Sequence, residues 1–62
     1  MDIFEQAKKM DADYYDIHTG YTYLIQEYNR AKRFGLPTLG IRVLGPDGKI
    51  IGMVTEKENE ED

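Results

Sequence analysis

Sixty-two residues, with twelve acidic and eight basic side chains, a net charge of −4, one histidine and no cysteine, allow one small domain and exclude a disulfide framework. A chain this short buries only about 60% of the surface that its unfolded form exposes, so its core is marginal and calls for support. The lone imidazole of His18 cannot build a tetrahedral metal site, which leaves a well-packed monomer or association with a second copy.

Asp2, followed three residues later by Glu5, has the form of a capping box, and Ile3, Phe4, Ala7 and Met10 recur at helical spacing. A short amphipathic helix over residues 3–10 is expected, too short to stand alone. Residues 13–17 read as a short strand or an extended lead-in, and His18, Thr19 and Gly20 as a turn in which Thr19 or Thr22 caps the next helix. That helix is marked by Tyr21, Leu24, Ile25, Tyr28, Ala31 and Phe34, one continuous apolar stripe. Gly35 supplies its left-handed terminal position, Leu36 packs back on the last turn, and Pro37 prevents continuation.

Leu39 to Thr55 forms a β-hairpin around Pro46-Asp47-Gly48, a type I turn with Gly48 in the left-handed position. Counting outwards, Leu44 faces Ile50, Val43 faces Ile51, Arg42 faces Gly52, Ile41 faces Met53, Gly40 faces Val54 and Leu39 faces Thr55. One face then carries Leu39, Ile41, Val43, Ile51 and Met53 as the core face for the second helix. The other carries Gly40, Arg42, Leu44, Ile50, Gly52 and Val54, too apolar to be left in water. The expected fold is α+β: a short N-terminal helix, a possible short strand, an amphipathic helix and a C-terminal hairpin in a small sheet with antiparallel pairing. Residues 1–55 form the domain, and residues 56–62 form a disordered acidic tail.

The stretch Ile41-Arg-Val-Leu-Gly-Pro-Asp-Gly-Lys-Ile-Ile-Gly-Met-Val-Thr55 resembles the opening hairpin of the N-terminal domain of bacterial translation initiation factor three, over about a quarter of the chain. That family continues from this hairpin into a helix, whereas a charged stretch follows here. The resemblance implies a well-formed hairpin and carries over no functional residue.

Charge is segregated. Residues 1–27 hold six acids against Lys8 and Lys9, residues 28–55 hold five bases against Asp47, and residues 56–62 hold five acids against Lys57. Function is expected where residues exceed structural need. The second hairpin face, with Gly40, Arg42, Leu44, Ile50, Gly52 and Val54, is covered either by the first helix or by a partner or second copy. Arg30, Lys32 and Arg33 suit the negative end of a helix dipole, and with Arg42 they could hold a nucleic-acid backbone. Tyr14, Tyr15 and Tyr23 are candidate aromatic contacts, or filler for a small core. Asp16 and His18 are the one pair with acid-base spacing, but there is no Ser or Cys nucleophile and no Gly-rich phosphate loop. A concave pocket is hard to build from so few residues.

No catalytic residue, metal or cofactor is therefore expected. No basic-then-apolar leader follows Met1, and no run reaches the roughly 20 apolar residues that span a bilayer, so a cytoplasmic chain with no membrane contact is expected. The leading expectation is a small regulatory or inhibitory protein of the phage or mobile-element kind, binding an unknown protein partner and forming a homodimer. The alternative is a nucleic-acid-binding accessory protein.

Overall fold

The computed structural model describes residues 2–56, and its elements run α1 (Ile3–Lys9), β1 (Tyr14–Tyr15), β2 (Thr22–Tyr23), α2 (Ile25–Arg33), β3 (Gly40–Leu44) and β4 (Ile50–Thr55). The fold is α+β. Four antiparallel strands lie in the order β1-β2-β3-β4, with α2 inserted between the two hairpins.

Helix α1 starts where its cap requires, because the Asp2 carboxylate accepts the Phe4 backbone N–H at 2.9 Å and satisfies an orphan donor of the first turn. Its buried residues are Ile3 and Ala7, while Met10 takes the extended cap position and is half exposed.

The second hairpin of this sheet, β1–β2, departs from the sequence pattern. Tyr21 and Thr22 had a place in or before the apolar stripe of the second helix, yet Thr22 and Tyr23 are a strand. The turn before them is strongly specified: Gly20 has φ +80°, its N–H donates to the Asp16 carbonyl, and Asp16 N–H donates to the Tyr21 carbonyl at 2.9 Å. Side chains lock it further, since Asp16 accepts the His18 backbone N–H and the Thr19 hydroxyl accepts the Tyr21 N–H. Aromatic and β-branched residues beyond such a turn favour a strand.

Helix α2 consequently begins at Ile25, and neither Thr19 nor Thr22 caps it. Its cap position is Leu24, which has no side-chain acceptor. Asp13 substitutes from the segment before β1, accepting the Gln26 N–H at 3.0 Å. At the other end Gly35 adopts φ +71° and Leu36 N–H returns to the Ala31 carbonyl at 2.8 Å, as expected. Phe34 and Leu36 are exposed, however, so the helix is closed by its backbone and not by the apolar contact foreseen for Leu36.

The β3–β4 turn has the expected form. Gly48 has φ +85°, its N–H donates to the Gly45 carbonyl, and Gly45 N–H donates to the Lys49 carbonyl. Leu44 faces Ile50, but beyond that pair a β-bulge leaves Ile51 as an extra residue. The register becomes Val43 with Gly52, Arg42 with Met53, Ile41 with Val54 and Gly40 with Thr55. A slip of one residue turns each later side chain of β4 to the opposite face. Val54 thus joins the core side, whereas Ile51 and Met53, expected in the core, are 53% and 40% exposed. Leu39, also expected there, is exposed as well.

The core consists of Ile3, Ala7, Ile25, Tyr28 and Ile41, with Phe4, Tyr14, Tyr23 and Val54 packed against it. The Phe4 and Tyr28 rings meet edge to face at 5.5 Å between centroids. Asn29 ties the helices together, donating to the Ala7 carbonyl and to the Asp11 carboxylate. Glu56, expected to open a disordered tail, belongs to the folded body: its N–H donates to the Leu39 carbonyl and its carboxylate accepts the Tyr28 hydroxyl at 2.6 Å. The rest of that tail, residues 57–62, lies outside the described residues.

Candidate functional site

Alternation along β3 and β4 gives the sheet two unlike faces. Ile41, Val43, Gly52 and Val54 look toward the helices, together with Tyr14 and Tyr23 through the strand register. Gly40, Arg42, Leu44, Ile50, Met53 and Thr55 lie on the other face, with Tyr15 and Thr22, although the Arg42 side chain still reaches Glu27 of α2. Helix α1 packs on the Ile41 side, so it does not cover Leu44 and Ile50. Of the six residues expected to form one interface, Gly40, Arg42, Leu44 and Ile50 share a face, and the bulge sends Gly52 and Val54 to the other. Met53 and Tyr15 take their place. Met53 escaped the sequence reading because a bulge in an otherwise regular strand carries no clear residue signal.

Strand β4 is the outer strand of the sheet, six residues long, and from Ile50 to Thr55 it carries no charge and no proline. Its free edge can be assigned from the ladder. Glu56 N–H bonds to Leu39, and antiparallel pairs exchange hydrogen bonds at every second position, so Val54 and Gly52 bond inward to β3. The backbone groups of Met53 and Thr55, beyond the bulge, therefore point to the open edge. Uncharged, proline-free edges are templates for another strand.

Three of the four cations expected as anion contacts are engaged within the molecule. Lys32 pairs with Glu56 at 3.2 Å, Arg33 with Asp11 at 3.4 Å, and Arg42 forms a two-pronged pair with Glu27, its Nε donating to Oε2 at 2.6 Å and its Nη2 to Oε1. Arg30, exposed on α2, is the one member of the expected anion-contact set without such a pair among the described residues. The Arg42 hydrogen bond holds the Glu27 carboxyl below its ordinary value of 4.5; partial burial opposes it, and the guanidinium charge adds to the lowering. A carboxyl lowered by folding contributes stability that is present above its unfolded value and lost as pH falls through its folded one. Glu27→Gln is therefore expected to flatten the loss of stability below pH 4.5, read from urea midpoints across an acid pH series. Identical slopes for the two proteins would show that the pair contributes nothing.

On the helix side, an open groove of about 1030 Å³ runs between α1 and the sheet. A concave site was expected to be hard to build from so few residues, and the groove forms because α1, seven residues long, covers only part of the sheet. Tyr14 and Tyr23 wall this groove, while Tyr15 lies on the opposite face, so the three candidate tyrosines do not form one site. Asp16 meets His18 only through the backbone N–H, and the imidazole is exposed, so the geometry does not build an acid-base pair. Among the described residues no group of three or more His, Cys, Asp or Glu side chains is placed to hold a metal, and no helix is long and apolar enough to cross a membrane. No family model matches the chain, and neither a curated protein nor a solved structure matches it.

Proposed function

We propose that this is a small non-enzymatic regulatory protein of the cytoplasm that works by protein contact, pairing through β4, first of all with a second copy of itself. The observation that carries the reading is the open, uncharged β4 edge beside an uncovered apolar sheet face, in a chain whose own core is small. The absence of Ser and Cys from the sequence supports a binding role over covalent catalysis. Two antiparallel β4 strands related by a two-fold axis at Met53 would set Met53 beside its counterpart, using the outward backbone groups of Met53 and Thr55. The joined sheet would bring together Leu44, Ile50 and Met53 from both copies on one face. Binding of nucleic acid, the alternative expected from the basic end of α2, gains nothing from this geometry, because three of its four cations already have carboxylate partners.

Sedimentation equilibrium tests the reading. The wild-type chain is expected to dimerise, and Met53→Lys, which sets like charges opposite each other at the axis, to weaken dimerisation at least ~10-fold while leaving the circular dichroism spectrum unchanged. A wild-type monomer at every concentration would overturn it.

A further inference from the structure

The groove between α1 and the sheet has an aromatic wall and an acidic rim. Phe4, Tyr14 and Tyr23 are only half-buried, so each packs on the core with one part and shows the remainder to the groove. Around them stand the carboxylates of Asp2, Glu5 and Asp16 against one ammonium, Lys8, a net charge of −2, with Glu56 already paired to Lys32. Tyrosine faces and carboxylates favour the same ligand, an ammonium or guanidinium group carried on an apolar stem. The protein already makes one such contact at the end of the groove. Lys32 Nζ stands 5.8 Å from the centroid of the Tyr28 ring and 3.2 Å from Glu56, a cation held between an aromatic ring and a carboxylate.

We infer that this groove binds a basic, extended segment of a partner protein, with arginine or lysine side chains laid over Tyr14 and Tyr23 and facing Glu5 and Asp16. The groove opens on the opposite face of the sheet from the bare one, but Val54, Thr55 and Glu56 line its end, so the Met53→Lys variant is used to read peptide binding apart from dimerisation. Charge selects the occupant. Residues 57–62 of this chain carry four acids against one lysine, and nucleic acid is a polyanion, so both would be repelled. The basic end of α2 from a second copy is a poorer match, because Lys32 and Arg33 are already held by Glu56 and Asp11.

The test uses the full chain and its Met53→Lys variant with a fluorescein-labelled nonapeptide of alternating arginine and leucine, read by anisotropy and by NMR of the aromatic rings. Binding to both proteins is expected, weaker as salt rises, with ring shifts at Phe4, Tyr14 and Tyr23. Glu5→Lys should weaken it about three- to tenfold, and Lys8→Glu should strengthen it by a similar factor; both side chains are exposed on α1. The same peptide with citrulline for arginine should not bind. The inference is overturned by absence of binding at low salt, by affinity indifferent to both α1 substitutions, or by binding that vanishes when only residues 57–62 are deleted. Ring shifts in Met53→Lys that grow with protein concentration, without peptide, would assign the groove to a second copy and overturn it too. Failure of dimerisation, by contrast, would leave the peptide result untouched.

Discussion

Gly40→Ala is expected to destabilise the chain severely, whereas Gly52→Ala is expected to leave it as stable as before or slightly more so. Both glycines lie in strands of the same hairpin, and from the sequence both suggest a close approach by another backbone. Only one has it. A Cβ on Gly40 would sit 2.0 Å from the Val54 carbonyl oxygen and 2.8 Å from the Thr55 Cα, and both of these are backbone atoms of the paired strand. No rotamer change relieves such a clash, so β4 must move off β3, carrying with it the contact of Val54 with the core. A cost of about 3 kcal/mol or more follows, against a total stability on the order of 3–9 kcal/mol for a chain of this length. At Gly52 the added methyl meets nothing within 4 Å, and the loss of unfolded-state freedom is worth about 0.4–1 kcal/mol in its favour. Thermal and urea unfolding followed by circular dichroism will separate the two variants. A folded Gly40→Ala protein of wild-type stability would mean that the strands are not packed as described.

The second large effect is expected at Ile41, where alanine should cost about 2–5 kcal/mol, the range for a buried isoleucine cut to a methyl. Ile41 is fully inaccessible and touches the layer that both helices form with the sheet. Ile51→Ala is the informative comparison. Regular pairing outward from the turn puts Ile41 and Ile51 on one core face. With the bulge, Ile51 is 53% exposed, and its replacement should cost less than about 1 kcal/mol. Measured at concentrations low enough to keep the chain monomeric, equal losses at the two positions would contradict the bulged register.

These two comparisons mark where sequence reasoning reaches and where it stops. The β3–β4 turn was legible because Pro46, Asp47 and Gly48 each meet a conformational demand at one position, whatever the rest of the chain does. The start of α1 and the end of α2 were legible for the same reason, through Asp2 and Gly35. Strand β2 was not, because Tyr21 and Leu24 fit a helical stripe as well as they fit the end of a hairpin. The choice fell to the Asp16–Tyr21 turn and to pairing with β1 and β3, contacts that periodicity does not record. The cap of α2 was hidden likewise, since Asp13 lies thirteen positions before the N–H that it accepts.

The candidate sites divide in the same way. The hairpin as a place for partner contact could be read from its surplus of apolar residues, but not which of them share a face. The groove could not be read at all, because Phe4, Glu5, Tyr14, Asp16 and Tyr23 come from α1, β1, the β1–β2 turn and β2 and are brought together only when α1 docks.

By itself the sequence determined the α+β class, the C-terminal hairpin with its turn, the start of its first helix, the end of its second and the segregation of its charge, since all of these depend on neighbours along the chain. Only the tertiary structure decided the bulge at Ile51, the side of the sheet that the helices cover, and the pairing of Lys32, Arg33 and Arg42 with carboxylates. Those depend on which surfaces meet, and a one-residue slip, nearly free in local energy, is enough to exchange one face of a strand for the other.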